Sequence, residues 1–227
     1  MTFKLMNIVN VCLLGQGIGH WITSPVLIFP NLAKFDNVIR IIGGIMNTLW
    51  ICDLPIVALL SVFRILIFLN MAHMYLKTIK LILALILFRI LLLLIYGLTI
   101  QNMEMYPPGW GYDFTVPYSH TFDTLEISLS FPCLIISFIS YLIITYLIIS
   151  VKKLHSNARS RKDEIAILLQ SSFVTTYITV MICLWHPALF KFVNIIDMTS
   201  ITNQAILNGL WILHCYINPC MLLLFNK

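Results

Sequence analysis

The chain has 227 residues, of which 60% are hydrophobic and only 10% are charged. Soluble domains carry about 25% charged residues, and large exposed apolar patches make soluble proteins associate. The composition therefore excludes an ordinary soluble domain and predicts a membrane protein. The formal net charge of +5 does not indicate a nucleic-acid partner, because the basic residues are scattered between apolar segments, as membrane topology requires.

Six apolar segments are long enough to cross a bilayer as helices. A hydrocarbon core about 30 Å thick needs about 20 apolar residues in a helix, and backbone polar groups must be paired inside it. The sequence therefore predicts an all-α fold, a polytopic membrane helix bundle that forms a single domain over residues 1–227. The predicted spans are residues 5–29, 40–64, 80–101, 122–151, 165–192 and 200–225.

The charges of the loops predict how the spans are oriented, because Lys and Arg are retained on the cytoplasmic side. No Lys or Arg occurs between Ile90 and Val151, and this stretch contains a loop rich in proline and aromatic residues that we expect outside. Lys34 and Arg40 are exceptions that place positive charge on the same side. The next loop is basic and is expected on the cytoplasmic side. The C-terminus is also expected in the cytoplasm, and the protein itself in the plasma membrane. The basic cluster of that loop consists of Lys152, Lys153, Arg159, Arg161 and Lys162.

Two ionisable residues interrupt the apolar spans. Asp53 lies near the middle of the second span, and Arg89 lies near the middle of the third. A charge inside the bilayer is costly and marks either a function or a paired partner. A pair between Asp53 and Arg89 would lower the cost of both, either as a structural contact of the bundle or as part of a hydrophilic path. The sequence does not show that the two face each other.

The spacing of the reactive residues does not indicate an enzyme. The histidines are single and far apart, without a zinc-binding His-Glu-x-x-His spacing, a Gly-x-Ser-x-Gly elbow or a phosphate-binding glycine loop. The cysteines lie inside or beside apolar segments, where a free thiol is usually a small buried residue. We therefore expect no catalytic residues, no metal and no other cofactor.

Short motifs in the last two spans resemble those of rhodopsin-like G-protein-coupled receptors. Trp185-His186-Pro187 is similar to the Trp-x-Pro of their sixth helix. Asn218-Pro219 is similar to the Asn-Pro-x-x-Tyr of their seventh helix, although Leu222 occupies the tyrosine position. Arg64, at the end of the second span, resembles the arginine of the Asp-Arg-Tyr motif of helix three, with a phenylalanine in place of the acid.

Further segments resemble the nematode serpentine chemoreceptors of the same superfamily. Phe3-Lys4-Leu5-Met6 is similar to the start of their second helix, Leu168-Leu169-Gln170-Ser171-Ser172 to their sixth, and Leu224-Phe225-Asn226-Lys227 to their closing residues. The resemblance covers essentially the whole chain through short, degenerate motifs. It implies that the six visible spans match helices two to seven of a seven-helix receptor whose first helix is missing.

The resemblance implies a chemosensory receptor whose ligand is a small molecule or a lipid-like compound and whose partners are a heterotrimeric G protein and the membrane lipids. A carboxylate at the ligand site would suit a cationic ligand, whereas a mostly apolar wall would suit a small volatile or lipid-like one, and the sequence leaves both open. The residues expected at the depth of the ligand are Trp50, Asp123, Glu126, Trp185, His186 and Trp211.

A ligand would favour a conformation in which the sixth helix swings outward at its proline kink, with Trp185 above Pro187 as the switch. Trp185 is equally well explained as a packing residue. Arg64 is equally well explained as a snorkelling arginine, and the basic loop as a lipid-facing patch. The residues implied in switching and in coupling to the G protein are Arg64, Pro187, Asn218, Pro219, Lys152, Lys153, Arg161 and Lys162.

Two other functions stay open at the level of sequence. In a small membrane transporter or channel subunit, Asp53 and Arg89 would line a hydrophilic path. The chain is also compatible with a truncated, nonfunctional remnant of a receptor.

Overall fold

The computed structural model describes residues 1–106, 109–151, 172–184 and 200–225. All six predicted spans, and the outer loop between the third and the fourth, fall at least partly in these ranges as regular elements. In chain order the elements are α1 (Thr2–Ile28), a short 3-10 helix (Pro30–Phe35), α2 (Asp36–Phe68), α3 (Ala72–Ile100), β1 (Met103–Tyr106), β2 (Gly109–Tyr112), α4 (Ser119–Val151), α5 (Ser172–Leu184) and α6 (Ile201–Phe225).

The described chain is mostly helical, and four of its helices, α1 to α4, are long and apolar enough to cross a membrane. The prediction of six such helices is confirmed only to this extent. The helix α6 coincides with the predicted span 200–225, whereas α5 is a shorter apolar helix inside the predicted span 165–192. The remainder of that span lies outside the described residues.

The helices extend beyond the apolar segments that predicted them. The helix α3 begins at Ala72 rather than at residue 80, and it includes Lys77 and Lys80 in its first turns. Lysine is a good helix former. Hydropathy therefore marks only the apolar part of the helix, whereas the helical backbone begins before that part. Between α2 and α3 the chain reverses at Asn70, whose φ of 56° is a left-handed conformation that asparagine tolerates.

A two-stranded antiparallel hairpin, β1 and β2, lies between α3 and α4 and corrects the prediction of a purely α-helical chain. Its register pairs Met103 with Tyr112 and Met105 with Trp110. The sequence predicted an outer loop rich in proline and aromatic residues here, whereas the structure pairs the backbone groups of two short strands. Met103, Trp110 and Tyr112 are buried against the helices.

The helix α2 is the centre of the bundle, because α1, α3, α4 and the hairpin all pack against it. The helix α3 stands at the periphery, where only Ile79 and Gly97 are buried among its described residues. A helix that is apolar on nearly every exposed face is typical of a lipid-facing position. Pro25, Pro55 and Pro132 lie inside α1, α2 and α4.

Gly43 on α2 makes the close approach of the hairpin possible. A Cβ atom at this position would lie 2.4 Å from the Trp110 ring and 3.0 Å from the Met103 Cβ. Glycine is therefore required here by the packing of the hairpin onto the helix, since the ring is buried and has no free space into which to move.

Replacement of Gly43 by alanine is expected to lower the free energy of unfolding by about 1–3 kcal/mol, because the added methyl overpacks the contact with Trp110. Gly209→Ala on α6 is the matched control, since nothing lies within 4 Å of the added atom and alanine is the better helix former. Thermal unfolding of the full chain in detergent measures both. An equal change of thermal stability in the two variants would contradict this account of the hairpin contact.

Candidate functional site

A small pocket lies beneath the hairpin, where α2, α4, α5 and α6 converge. Its cavity volume is about 20 Å³, which is room for about one ordered water molecule. Aromatic and apolar side chains form most of its wall, with one amide and one carboxylate. The lining residues are Asn47, Trp50, Met103, Gly111, Tyr112, Glu126, Met181, Ile182 and Trp211.

Glu126 on α4 supplies the carboxylate of this pocket and is 4% exposed. The Trp50 Nε1 donates to its Oε1 at 2.8 Å, and the Tyr112 hydroxyl donates to its Oε2 at 2.7 Å. The Asn47 amide donates to the Tyr112 oxygen at 2.8 Å, which directs the phenolic proton to the carboxylate. Both Glu126 oxygens thus accept, which is the hydrogen-bonding pattern of an ionised carboxylate.

Tyr112 joins the hairpin to the helices through this network. Its burial raises the pKa of the phenol well above the ordinary value of 10.0, and the negative charge of Glu126 raises it further. The phenol therefore keeps its proton at any physiological pH and remains a donor. The bond between Tyr112 and Glu126 fixes β2 against α4 and closes the pocket on the hairpin side.

Trp211 on α6 forms the opposite wall and connects the pocket to α1. Its Nε1 donates to the Gln16 Oε1 at 2.8 Å, and its ring lies edge-on to His20, with centroids 4.9 Å apart. Its centroid is 6.1 Å from that of Trp50. Indole contacts of this kind each contribute about 0.5–1.5 kcal/mol beyond area burial, so the two tryptophans tie α1, α2 and α6 together.

One turn deeper along α2, Asp53 contacts His214 of α6 rather than Arg89, the partner that the sequence offered. The Asp53 Oδ2 lies 3.5 Å from the His214 Nε2, and each side chain is 1% exposed. The His214 ring also contacts Trp50, with centroids 5.3 Å apart. Arg89 is exposed on the peripheral helix α3.

Arg40 at the N-terminal end of α2 is a residue whose role the sequence did not indicate. Its guanidinium bonds Asp36 at 2.7 Å and Asp113 at 2.8 Å, lies 3.8 Å from Glu104, and donates to the backbone oxygen of Gln101 at 3.2 Å. It therefore fastens both ends of the hairpin to α2. The sequence offered one signal, an arginine expected on the same side of the membrane as an acidic loop. The rule that positive residues stay on the cytoplasmic side treats such an arginine only as an exception.

The Asp113 carboxylate is held in its charged form. Hydrogen bonds from Thr115 and from Arg40 lower its pKa below the ordinary value of 3.8. Its contribution to folding is therefore complete above that value and is lost as the pH falls toward the folded-state pKa.

The predicted ligand residues divide into three groups. Trp50, Glu126 and Trp211 meet in the pocket, whereas Asp123 is half-buried one turn away on α4 and does not line it. Trp185 and His186 lie outside the described residues.

The residues predicted for switching and coupling are more dispersed. Arg64 is half-buried on α2, about 20 Å along the helix from Trp50 at 1.5 Å per residue. Asn218 and Pro219 lie within α6. The others, Pro187, Lys152, Lys153, Arg161 and Lys162, lie outside the described residues.

The fold and the site together define a helical bundle, compatible with a membrane protein, that encloses a polar and aromatic pocket between its helices. Comparisons of the chain with protein-family models, with curated proteins and with solved structures gave no match. The described residues bring no three histidine, cysteine or acidic side chains together in a form that could hold a metal ion.

Acid is expected to loosen the hairpin only below the ordinary pKa of an aspartate, because the bonds from Thr115 and Arg40 keep Asp113 ionised down to that range. Fluorine NMR of the chain labelled with fluorotryptophan, with the Trp110 signal assigned by Trp110→Phe, measures the transition. In Asp113→Asn the hairpin signal should be altered at neutral pH and lack this acid step. A wild-type transition above pH 3.8 would contradict the assignment.

Asp53 and His214 are expected to be energetically coupled. His214→Gln should lower the free energy of unfolding by about 3–5 kcal/mol, because it leaves a buried carboxylate without its partner. Asp53→Asn should cost less, because it removes the buried carboxylate itself. A double-mutant cycle should give a coupling of about 0.5–3 kcal/mol.

Arg89→Gln is the control for this pair, and its effect should stay within about 0.5 kcal/mol, as for other exposed positions. Chemical unfolding in mixed micelles measures all four variants. Coupling of Arg89, rather than His214, to Asp53 would restore the pairing expected from the sequence.

Proposed function

We propose that the chain is a multi-pass receptor of the plasma membrane, which binds a small molecule in the pocket beneath the hairpin and transmits binding to a heterotrimeric G protein. The observation that carries the proposal is the meeting of Trp50, Glu126 and Trp211 in one pocket. These residues come from three different helices and were predicted for ligand binding from sequence alone. The motif resemblance to serpentine chemoreceptors supports the same function.

The proposed topology has six spans, with the hairpin outside and the C-terminus in the cytoplasm. Arg40 was an exception to the distribution of positive charge. Its ion pairs with Asp36 and Asp113 neutralise that charge, which removes one objection to an external hairpin.

Ligand binding would act on the contact between Trp50 and Trp211. Trp211 is fixed to Gln16, and Trp50 contacts His214, so a ligand that separates the two indoles also shifts α6 relative to α1 and α2. Binding moves such an equilibrium only by its difference in affinity for the two conformations. The prolines inside α2, α4 and α6 provide points at which a helix can bend.

The cytoplasmic response in this proposal uses Arg64, at the opposite end of α2 from the hairpin. A change in the packing around Trp50 would reach Arg64 through a single helix. The switch at Trp185 and Pro187, and the G-protein contacts of the basic loop at Lys152, Lys153, Arg161 and Lys162, are retained in the proposal from the sequence resemblance.

A second candidate function, a small transporter, is favoured by the buried contact of Asp53 with His214. Ionisable side chains in the middle of a helix bundle are typical of proton relays. The exposed position of Arg89 weakens the particular path that the sequence suggested, so the path of this second candidate would pass Asp53 and His214 instead.

The receptor proposal is tested by ligand-evoked G-protein activation in a reconstituted cell, with a panel of small volatile and amine compounds. Trp211→Ala is expected to abolish activation because it removes one wall of the pocket, whereas Trp21→Ala changes a tryptophan that is 76% exposed on α1 and should leave activation intact. Arg64→Ala should abolish activation while ligand binding persists.

Surface expression of each variant is measured in parallel, so that loss of folding is separated from loss of signalling. Activation that is unchanged by Trp211→Ala and Arg64→Ala, together with proton or solute flux that Asp53→Asn abolishes, would refute the receptor and support the transporter.

A further inference from the structure

The pocket beneath the hairpin combines a buried carboxylate with aromatic walls. Glu126 accepts hydrogen bonds at both oxygens and is 4% exposed. The indoles of Trp50 and Trp211 and the phenol of Tyr112 surround the same space. A carboxylate removed from water favours a positive charge beside it, because its charge is little screened there.

Each component of the wall favours the same kind of occupant. Aromatic faces attract a cation placed within about 6 Å of the ring centre, and a hydrogen bond between a charged donor and a carboxylate is roughly twice as strong as a neutral one. A neutral alcohol would gain neither advantage, and an anion would be repelled by Glu126. The chemistry of the lining therefore selects for positive charge with N–H donors.

The size of the pocket limits the cation further. Its cavity volume of about 20 Å³ holds about one water molecule, which is also the size of an ammonium group. A quaternary ammonium is larger and has no N–H to donate. A primary ammonium has three donors on one nitrogen, one of which can take the Glu126 oxygen now bonded by Tyr112.

We propose that this pocket binds the head group of a small protonated primary amine, with Glu126 as its counter-ion and the rings of Trp50 and Trp211 as its walls. The inference rests on the ligand pocket of the proposed receptor and names the class of its ligand. It does not depend on which protein responds in the cytoplasm. Because the amine competes with Tyr112 for the carboxylate, its binding also releases the bond that holds β2 against α4.

Binding is measured on the purified full chain in nanodiscs, with methylammonium chloride as the probe and tryptophan fluorescence as the readout. Methanol is the neutral probe of similar size, and potassium chloride at equal concentration controls for ionic strength. We expect saturable binding of methylammonium in the millimolar range, since so small a ligand has few atoms with which to bind, and no saturable response to methanol or potassium.

Glu126→Gln keeps the shape of the side chain and removes its charge, so it should weaken methylammonium binding at least tenfold. Asp36→Asn is the matched control, because it makes the same chemical change in a carboxylate that is outside the pocket and 54% exposed, and it should bind methylammonium as the wild type does. If Glu126→Gln does not fold, the wild-type comparison of methylammonium with methanol decides the question.

Equal responses to methylammonium and methanol, or no response to either, would overturn the inference and leave a pocket that holds only water. Activation of the receptor by neutral compounds, without methylammonium binding, would likewise overturn the inference while the proposed function stands. Methylammonium binding that depends on Glu126, without G-protein activation by any compound, would support the inference and refute the receptor.

Discussion

Burying a polar side chain between apolar helices is costly unless it is hydrogen-bonded, and Glu126 is the residue around which the hydrogen bonds of the pocket are arranged. Its bonds to Trp50 and Tyr112 join α4 to α2 and to the hairpin, and the pocket exists because these groups point at one another. An unpaired carboxylate at this depth would be strongly destabilising. The hairpin is thus part of the interior through its tyrosine, even though its backbone lies at the end of the bundle.

A second polar level lies one helical turn deeper, where Asp53 contacts His214. It is linked to the first level by the indole of Trp50, which contacts Glu126 through its nitrogen and His214 through its ring. The two levels share α2 and α6, so displacement of either helix disturbs both. Ligand binding and the contact between Asp53 and His214 are therefore expected to depend on each other.

The sequence carries information on the depth of a residue along its span but little on the rotation of a helix about its axis. Counting residues along an apolar span places Trp50, Glu126 and Trp211 at a common level, and the structure brings them together. Whether Asp53 faces Arg89 or His214 depends on how each helix turns about its axis, which a nearly uniform apolar sequence such as α3 does not specify. The hairpin and its attachment to Arg40 depend on contacts between residues far apart in the chain, for which hydropathy carries no signal.

The Arg40 cluster also sets the electrostatic character of the hairpin end. One guanidinium there is surrounded by the carboxylates of Asp36, Glu104 and Asp113, so negative charges outnumber the positive one, and Asp36 and Glu104 are partly exposed to solvent. A surface of this sign concentrates cations from solution and speeds their arrival, an effect that falls as the ionic strength rises. The residues that fasten the hairpin would thus also govern how fast a cationic molecule is captured.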